Sequence, residues 1–574
     1  MIDALDPPRP ADGRLESWKE IAAHLGRDVR TVQRWEKAEG LPVHRHLHDK
    51  LGSVYAFQGE LDAWREGRAG APAAGGRGAE PAAPAPGRRW RVWALGLAAL
   101  LAAGGVLLPR RTPARDEASL AVLPFTNLSG DASQDYLSDG VTEELITQLG
   151  KVQGQDARIL ARGSSLAYKR GRKPARQVAA ELGVAYVMEG TVRRAGDRVR
   201  IAVHLVRGRD EAHVWDQSYD CETGDILSLQ SEVAGAIAAT LAERIGSPAR
   251  SARKTRPEVL EAYLKARFFW NKRTPADLLR ALAGFRQAAA LDGTFAPAQV
   301  GIADCLTLLG SAEMGAMAPN EAMPLARQAV EKALALDPGL AEAHASLGHL
   351  KLVYDWDWPG AERSFRQALL LNPASVVAHQ WFALCCNVLG RTDEALAEVR
   401  KAERLDPLSP TVKTALAETW YFARRFPEAE AAARAALELD PGFLLGWVNL
   451  GRALEQQGRL DEASACLEKA WLASGKAPGL TMLLGHVYAR KGDQAMARKM
   501  LRALERPGGG YVPAIYLAAV YGGLGERRQA LVWLRKAMEE RCEYLIYLAR
   551  DPMADAFRQE IGFDPRLLAG AYRR

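Results

Sequence analysis

Four short phrases decide how this chain folds: ALDP at Ala335–Pro338, LLNP at Leu370–Pro373, RLDP at Arg404–Pro407 and ELDP at Glu438–Pro441. Their prolines stand 35, 34 and 34 residues apart. Proline has no N–H to give a helix and biases the residue before it towards extended backbone, so each phrase is a helix stop. A stop every 34 residues leaves room for two helices and their turns. Small residues recur where two such helices would cross. Leu450, Gly451 and Leu454 face Ala463, Leu467 and Ala470. Leu484, Gly485 and Tyr488 face Ala497, Leu501 and Leu504, and Leu517, Ala518 and Tyr521 face Ala530, Leu534 and Ala537.

A helix-pair period of 34 residues marks the tetratricopeptide repeat. The period is stretched by a Gly/Met-rich insert near Ser311–Met323, and degenerate units begin at Pro257 and lie near the C-terminus. About eight repeats are expected over 257–545, followed by a tail at 546–574. Such solenoids bury a continuous core and offer a concave face to a protein or peptide.

Upstream, from Ser119 to about residue 247, the pattern alternates between strands and helices. SLAVLPF and ARILAR read as strands, and Tyr136–Leu149 and Pro174–Leu182 as helices. YVMEGTVRRAGDRVRIAVHLVRG reads as two strands joined at Ala-Gly-Asp, HVWDQSYD as a third, and Ile226–Ile245 as an amphipathic helix. This is a small α/β domain. Its residues 151–210 hold 14 Lys and Arg against 5 Asp and Glu, densest at Tyr168–Arg176. That excess suits an acidic partner or anionic headgroups, or simply a solvated edge.

The N-terminal module, residues 14–66, opens with the capping box Ser17–Glu20. Trp18, Ile21, Ala22 and Leu25 form an apolar helix face, Gly26 allows a turn, and Asp28 caps a second helix from Val29 to about Glu39. Val29, Val32 and Trp35 point inward there, while Arg30, Arg34 and Lys37 form an outer stripe. Two helices joined by a tight turn, the second with a basic stripe, have helix-turn-helix geometry. Alternating segments around Asp49–Gly52 form a hairpin wing, and GELDAW closes the module.

Residues 69–87 contain eight Ala, five Gly and four Pro, the composition of a linker. Val92–Leu108 then runs 17 residues without a charge, about 25 Å as a helix. Trp90 and Trp93 edge it, and arginines flank both ends. The expectation is one membrane-spanning helix, with internal packing as its alternative. Arg77, Arg88, Arg89 and Arg91 precede it, and Arg110, Arg111 and Arg115 follow, so charge leaves the orientation open. The segment Met1–Pro10 lacks the basic and apolar regions of a cleavable signal.

Two stretches carry family resemblances. SWKEIAAHLGRDVRTVQRWEKAEGLPVHRH, the hairpin and ELDAW resemble the excisionase/MerR-type winged helix-turn-helix, over about Arg14–Trp64. The resemblance implies that Arg30, Thr31, Arg34 and Lys37 face the major groove of DNA, with Arg27, Arg45 and His46 near phosphates. PFTNLSGD and DGVTEEL resemble the TolB amino-terminal-like domain, which implies a non-enzymatic interaction or sensing role. The arrangement is similar to one-component regulators of the ToxR/CadC kind.

Composition sets the outer limits. Of 574 residues, 48% are apolar and 25% charged, which excludes a disordered or fibrous chain. Six Cys without a CxxC exclude a disulfide framework or a zinc module. His44, His46 and His48 share one strand face, yet a phosphate-facing wing explains them better than a metal does. Phosphate-loop, strand-borne GxGxxG, HExxH and GxSxG motifs are absent, so neither enzyme activity nor a cofactor is expected. Residues 1–68 carry 11 Lys and Arg against 12 Asp and Glu. A monomer would therefore hold DNA weakly, and dimerisation would supply the missing affinity.

The expected fold is multidomain and mainly α: a small winged helix-turn-helix, one transmembrane helix, an α/β TolB-like domain and a tetratricopeptide solenoid. The expected protein is a single-pass inner-membrane regulator with a cytoplasmic N-terminus. Its partners would be DNA at the N-terminal module, the bilayer through one span, and a protein or peptide at extracytoplasmic repeats. The alternative is an envelope scaffold or adaptor that binds no DNA.

Overall fold

The computed structural model describes residues 14–15, 17–39, 41–45, 54–69, 119–151, 158–169, 173–222, parts of 225–237, 255–311, 316–505, 511–555 and 558. The chain divides into two units, residues 1–110 and 111–574.

In the first unit, Ser17 starts helix α1 (Trp18–His24) by accepting the Glu20 N–H at 3.3 Å. Gly26, at φ +62°, reverses the chain into α2 (Val29–Glu39), a conformation that glycine adopts without Cβ strain. Strands β1 (Arg14–Leu15), β2 (His44–Arg45) and β3 (Val54–Phe57) form an antiparallel sheet in the order β1-β3-β2. Helix α3 (Gln58–Ala69) closes the module. Ile21, Val32, Ala56 and Leu61 are fully buried together, so both helices and the sheet share one core. The two-residue β1 is too short to leave a sequence period.

The second unit begins with a six-stranded mixed sheet. Strands β4 (Ser119–Val122), β5 (Thr126–Asn127) and β6 (Arg158–Ile159) pair in parallel, β4 with both β6 and β7 and β5 with β7. The long strands β7 (Tyr186–Ala195), β8 (Arg198–Arg207) and β9 (His213–Glu222) are antiparallel. Helix α4 (Asp135–Lys151) covers one face of the sheet and α6 (Ala175–Leu182) the other, and the short α5 (Arg162–Leu166) contacts α4 and β4. The alternation in β4 fixes this: Leu120 and Val122 enter the α4 core, Ala121 and Leu123 the α6 core. Of the expected helix at Ile226–Ile245, Ile226, Leu229, Val233 and Ile237 are buried in the α4 core.

Among the described residues, sixteen helices follow as eight pairs. The first helices of the pairs are α7 (Pro257–Trp270), α9 (Ala296–Leu309), α11 (Ala341–Leu350) and α13 (Val376–Leu389), then α15 (Pro410–Phe422), α17 (Leu444–Gln456), α19 (Pro478–Arg490) and α21 (Ala514–Gly523). Their partners are α8 (Pro275–Leu291), α10 (Pro319–Leu336), α12 (Trp358–Leu371) and α14 (Thr392–Leu405), then α16 (Phe426–Leu439), α18 (Leu460–Ala473), α20 (Gln494–Glu505) and α22 (Arg527–Glu539). The Asp-Pro and Asn-Pro phrases do what their chemistry demands. Asp337 and Asp440 each accept, at 2.9 Å, the N–H two residues on, and Asn372 does so at 3.1 Å. Each polar side chain thus closes the turn that its proline opens. At most steps of the stack the first helix of one pair packs on the first helix of the next, and in solenoids of this kind that row lines the inner face.

The expectation of a membrane-spanning fold is corrected. Among the described residues no helix is long and apolar enough to cross a membrane. The 18-residue α10 carries Glu321, Arg327, Glu331 and Lys332, and its apolar side is buried against neighbouring helices. Val92–Leu108 lies outside the described residues. The absence of such a helix among the described residues likewise goes against the expected single-pass inner-membrane location and the bilayer as a partner.

Candidate nucleic-acid interface and repeat groove

The core of the N-terminal module sets which face of α2 is free. Val32 is fully buried, Val29 and Trp35 pack against the same core, and the Trp35 ring lies 5.5 Å from Trp64 of α3. Arg30 and Arg34 are left exposed on the opposite side, and Arg27 is exposed in the turn. Thr31 has a structural task as well. Its N–H and hydroxyl are both given to the Asp28 carboxylate, at 2.9 and 2.6 Å, and these bonds hold that carboxyl below its usual range. Thr31 therefore secures the start of α2. Lys37 lies on α2 and Arg45 on β2, with side chains outside the described residues, as is His46 altogether.

The hairpin expected as a wing is present in its strands: His44 pairs with Tyr55 and Arg45 with Val54. The His44 ring stacks on Tyr55 and bonds Glu60 at 2.8 Å, so it serves the sheet rather than a metal trio. His48 lies outside the described residues.

Among the described residues one cluster has metal-like donors, His204, His213 and Asp216 on β8 and β9. A bulge in the β8–β9 register brings His213 to the Asp216 side. Both imidazoles bond the Asp216 carboxylate, His204 at 2.5 Å and His213 at 3.0 Å, and this pairing holds the carboxyl below its usual range. The donors are thus satisfied by one another.

Much of the basic excess over 151–210 is used inside the protein. Lys169 bonds Asp139 at 2.6 Å, Lys173 bonds Glu181 at 2.8 Å, and Arg200 bonds Asp220 at 2.6 Å. Arg194 reaches Tyr136 at 3.1 Å and Glu261, on α7, at 3.4 Å.

The α/β domain is welded to the solenoid. Leu260 and Leu264 of α7 belong to the α4 core, and Glu143 of α4 bonds Arg267 and Asn271. Farther along, the Asp406 carboxylate takes the N–H and hydroxyl of Ser164, and Ala161 N–H bonds the Leu405 carbonyl at 2.7 Å.

Between the first helices of the first four pairs, Trp270, Arg273, Asp304, Ser346, His349 and Trp381 line a narrow cleft with room for little more than a water molecule. The Arg273 guanidinium sits 3.6 Å from the Trp270 ring centre, and His349 stacks on Trp381 at 4.4 Å. Burial pushes the Asp304 carboxyl up to about 6, although Ser346 donates to it at 2.5 Å. Burial and the Arg273 charge bring His349 down to about 4, so it is neutral at physiological pH.

Beyond α22 the chain makes two short turns, Glu543–Ile546 and Pro552–Ala554, and runs back across the ends of the first helices. The Arg541 guanidinium lies over Tyr354 and Trp356, after α11. Tyr547 stacks on Phe422 of α15 at 5.6 Å. The Asp551 carboxylate takes the Tyr421 hydroxyl at 2.7 Å and the Arg452 guanidinium at 2.9 Å, and Asp555 takes Arg424 at 2.8 Å. This segment falls in the stretch expected to be a tail. Its carboxylates and their arginines lie roughly 100 residues or more apart, beyond any sequence period.

The chain is thus a tetratricopeptide solenoid protein with a regulator-type domain. Residues 116–236 match the family described as HilA/YgeH-like transcriptional regulator, second domain. Residues 352–410 and 423–486 match tetratricopeptide repeats. The α/β stretch, which resembles the TolB amino-terminal-like domain in sequence, matches the HilA/YgeH-like family instead.

Particular relatives narrow this further. Over 297 residues the chain is 34% identical to a Rhizobium meliloti (strain 1021) protein named "Putative adenylate cyclase 3", covering 50% of this chain and 43% of the relative. The chain therefore spans less than half the length of that relative. Among solved structures it is similar to PilW, a widely conserved type IV pilus biogenesis factor, at 21% identity over 33% of this chain and 86% of that one, with TM-score 0.29. It is also similar to TTC0263, a thermophilic TPR protein in Thermus thermophilus, at 21% identity over 34% and 98% of the two chains, with TM-score 0.30.

Proposed function

We propose that this chain is a transcriptional regulator that reads duplex DNA through α2 and binds a protein partner through its repeats. The observation that carries the reading is the two-faced α2. Its Val29, Val32 and Trp35 side is committed to the core, and Arg30 and Arg34 stand exposed on the other. An arginine on a major-groove helix can form two parallel hydrogen bonds to guanine O6 and N7. Arg27 and Arg45 would hold phosphates, with Lys37 and His46 completing the contact. The match of the next domain to a transcriptional-regulator family supports the same reading.

The cyclase activity in the relative's name is not transferred, since this chain covers 43% of that protein. A sequence without a phosphate loop or a metal-binding motif, and with a long helical repeat array, fits a binding role better than a catalytic one.

A second reading, an adaptor whose N-terminal module contacts protein, draws on the near-balanced charge of residues 1–68. One experiment separates them. Genomic fragments are captured with the full chain and with an Arg30→Ala/Arg34→Ala version. Specific fragments enriched by the first and lost by the second support DNA reading. Recovery of the same set by both overturns it.

A further inference from the structure

The segment after α22 lies across the ends of the first helices as a bound peptide would. Three of its side chains make the anchoring contacts, and they are spaced four residues apart: Tyr547, Asp551 and Asp555. The receiving groups come from two repeats. Phe422 takes the ring, Tyr421 and Arg452 take the first carboxylate, and Arg424 takes the second. Tyr421 and Asp551 are buried, and the Arg452 guanidinium lies 4.2 Å from the Tyr421 ring centre. The segment contributes only short turns, and its hold combines these side chains with Cys542, Leu545, Ile546, Leu548 and Ala554, which are buried in the repeat core. An arginine buried beside a tyrosine hydroxyl is a costly arrangement without an anion to pair with.

We propose that the groove formed by α15 and α17 is a docking site for a partner peptide presenting an aromatic ring and two carboxylates at four-residue intervals, and that the chain closes it with its own Tyr547, Asp551 and Asp555. The partner is recognised by the same ring stack and the same two charge-assisted contacts. Because the resident segment is tethered, it competes at an effective concentration on the order of millimolar. A partner must therefore bind more tightly or carry the motif in several copies. The proposal rests on the repeats being a protein-binding surface and is independent of DNA recognition.

The test uses the full chain and a labelled peptide of its own residues 542–558 as the probe. Asp551→Asn/Asp555→Asn loosens the resident segment while leaving the groove intact. The labelled peptide should bind this variant at least tenfold more tightly than it binds the unchanged chain. Adding Arg424→Glu should abolish that gain, and a peptide with both aspartates changed to asparagine should bind neither. Circular dichroism and the thermal transition establish that each variant is folded. Equal binding to variant and unchanged chain, or no binding to a folded variant, overturns the proposal and leaves the segment a fixed cap. A concentration-dependent dimer with exchanged segments also overturns it, since the occupant would then be a second copy. No DNA enters the assay, so its failure leaves the DNA reading standing, and failed fragment capture leaves this proposal standing.

Discussion

Asp406 and Ser164 are 242 positions apart, and one carboxylate oxygen of the first accepts both the backbone N–H of the second at 2.5 Å and its hydroxyl at 2.6 Å. Asp406 belongs to one of the recurring Asp-Pro phrases. In the sister turns the polar side chain bonds the N–H two residues on, at Gly339, Ala374 and Gly442. At Asp406 the carboxylate is instead turned outward to the α/β domain. Replacement by alanine strips Ser164 of a buried charged acceptor. Asp406→Ala is expected to cost about 2–3 kcal/mol. In calorimetry it should split one unfolding transition towards two, with the α/β domain melting first.

The crossings inside the repeats are set by glycine. A Cβ on Gly301 would lie 2.6 Å from Phe285, and one on Gly348 would lie 2.7 Å from Phe365. Gly348→Val should destabilise the chain by about 1–3 kcal/mol or more through overpacking. Pairing it with Phe365→Ala should recover part of that loss, as a double-mutant cycle in urea would report.

Asp304 makes stability depend on pH in an unusual direction. Its folded pKa of about 6 lies above the ordinary 3.8. A carboxyl with a raised folded pKa favours the native state while protonated, and its contribution falls as pH rises from about 4 through 6. Asp304→Asn keeps an acceptor for Ser346 and removes the buried charge. It should stabilise the chain at pH 7 by on the order of 1–2 kcal/mol, with little effect at pH 4. Chemical denaturation at the two pH values checks this.

All six cysteines are free, and burial pushes Cys385 and Cys386 up to about 12 and Cys221 to about 11. Thiolate is the reactive form. Iodoacetamide at pH 8 should label the native chain slowly, and the denatured chain at all six positions. Rapid modification of a native thiol would show that its surroundings are more open than its burial implies.

Arg30→Ala and Arg34→Ala, made singly, should each cost about 1–3 kcal/mol of preference for captured fragments over random DNA. Competition binding at two salt concentrations separates this from a loss of general affinity, which would show as a shallower salt dependence.

How much of this was open to sequence reading follows from distance along the chain. Each Asp-Pro phrase, the capping box at Ser17 and the apolar run SLAVLPF act over a few residues, and the structure has the helix ends, helix and strand they predict. The Ser164–Asp406 bond, the entry of Leu260 and Leu264 into the α/β core, and the seat of Asp551 on Arg452 join residues with no periodic relation. Thr31 shows a subtler limit. The resemblance implies a groove contact for it, and what sequence reading missed is the bond its hydroxyl makes to Asp28 three residues earlier. For the expected membrane span, an apolar run was legible at Val92–Leu108, but no described helix has the length and apolarity required.

Arrays of this kind commonly change length by duplicating or losing a unit, since each repeat touches only its neighbours. Here the first helix is fused to α4, and the turn between the fourth and fifth pairs is latched at Ser164. One rigid sheet therefore measures the distance between two points of the stack. Inserting a copy between those points would carry Asp406 away from its mate. Past the second point the sheet no longer sets the spacing, but the segment after α22 ties the last pair back to Tyr354, Tyr421 and Arg452, so a copy inserted there would have to displace those contacts instead.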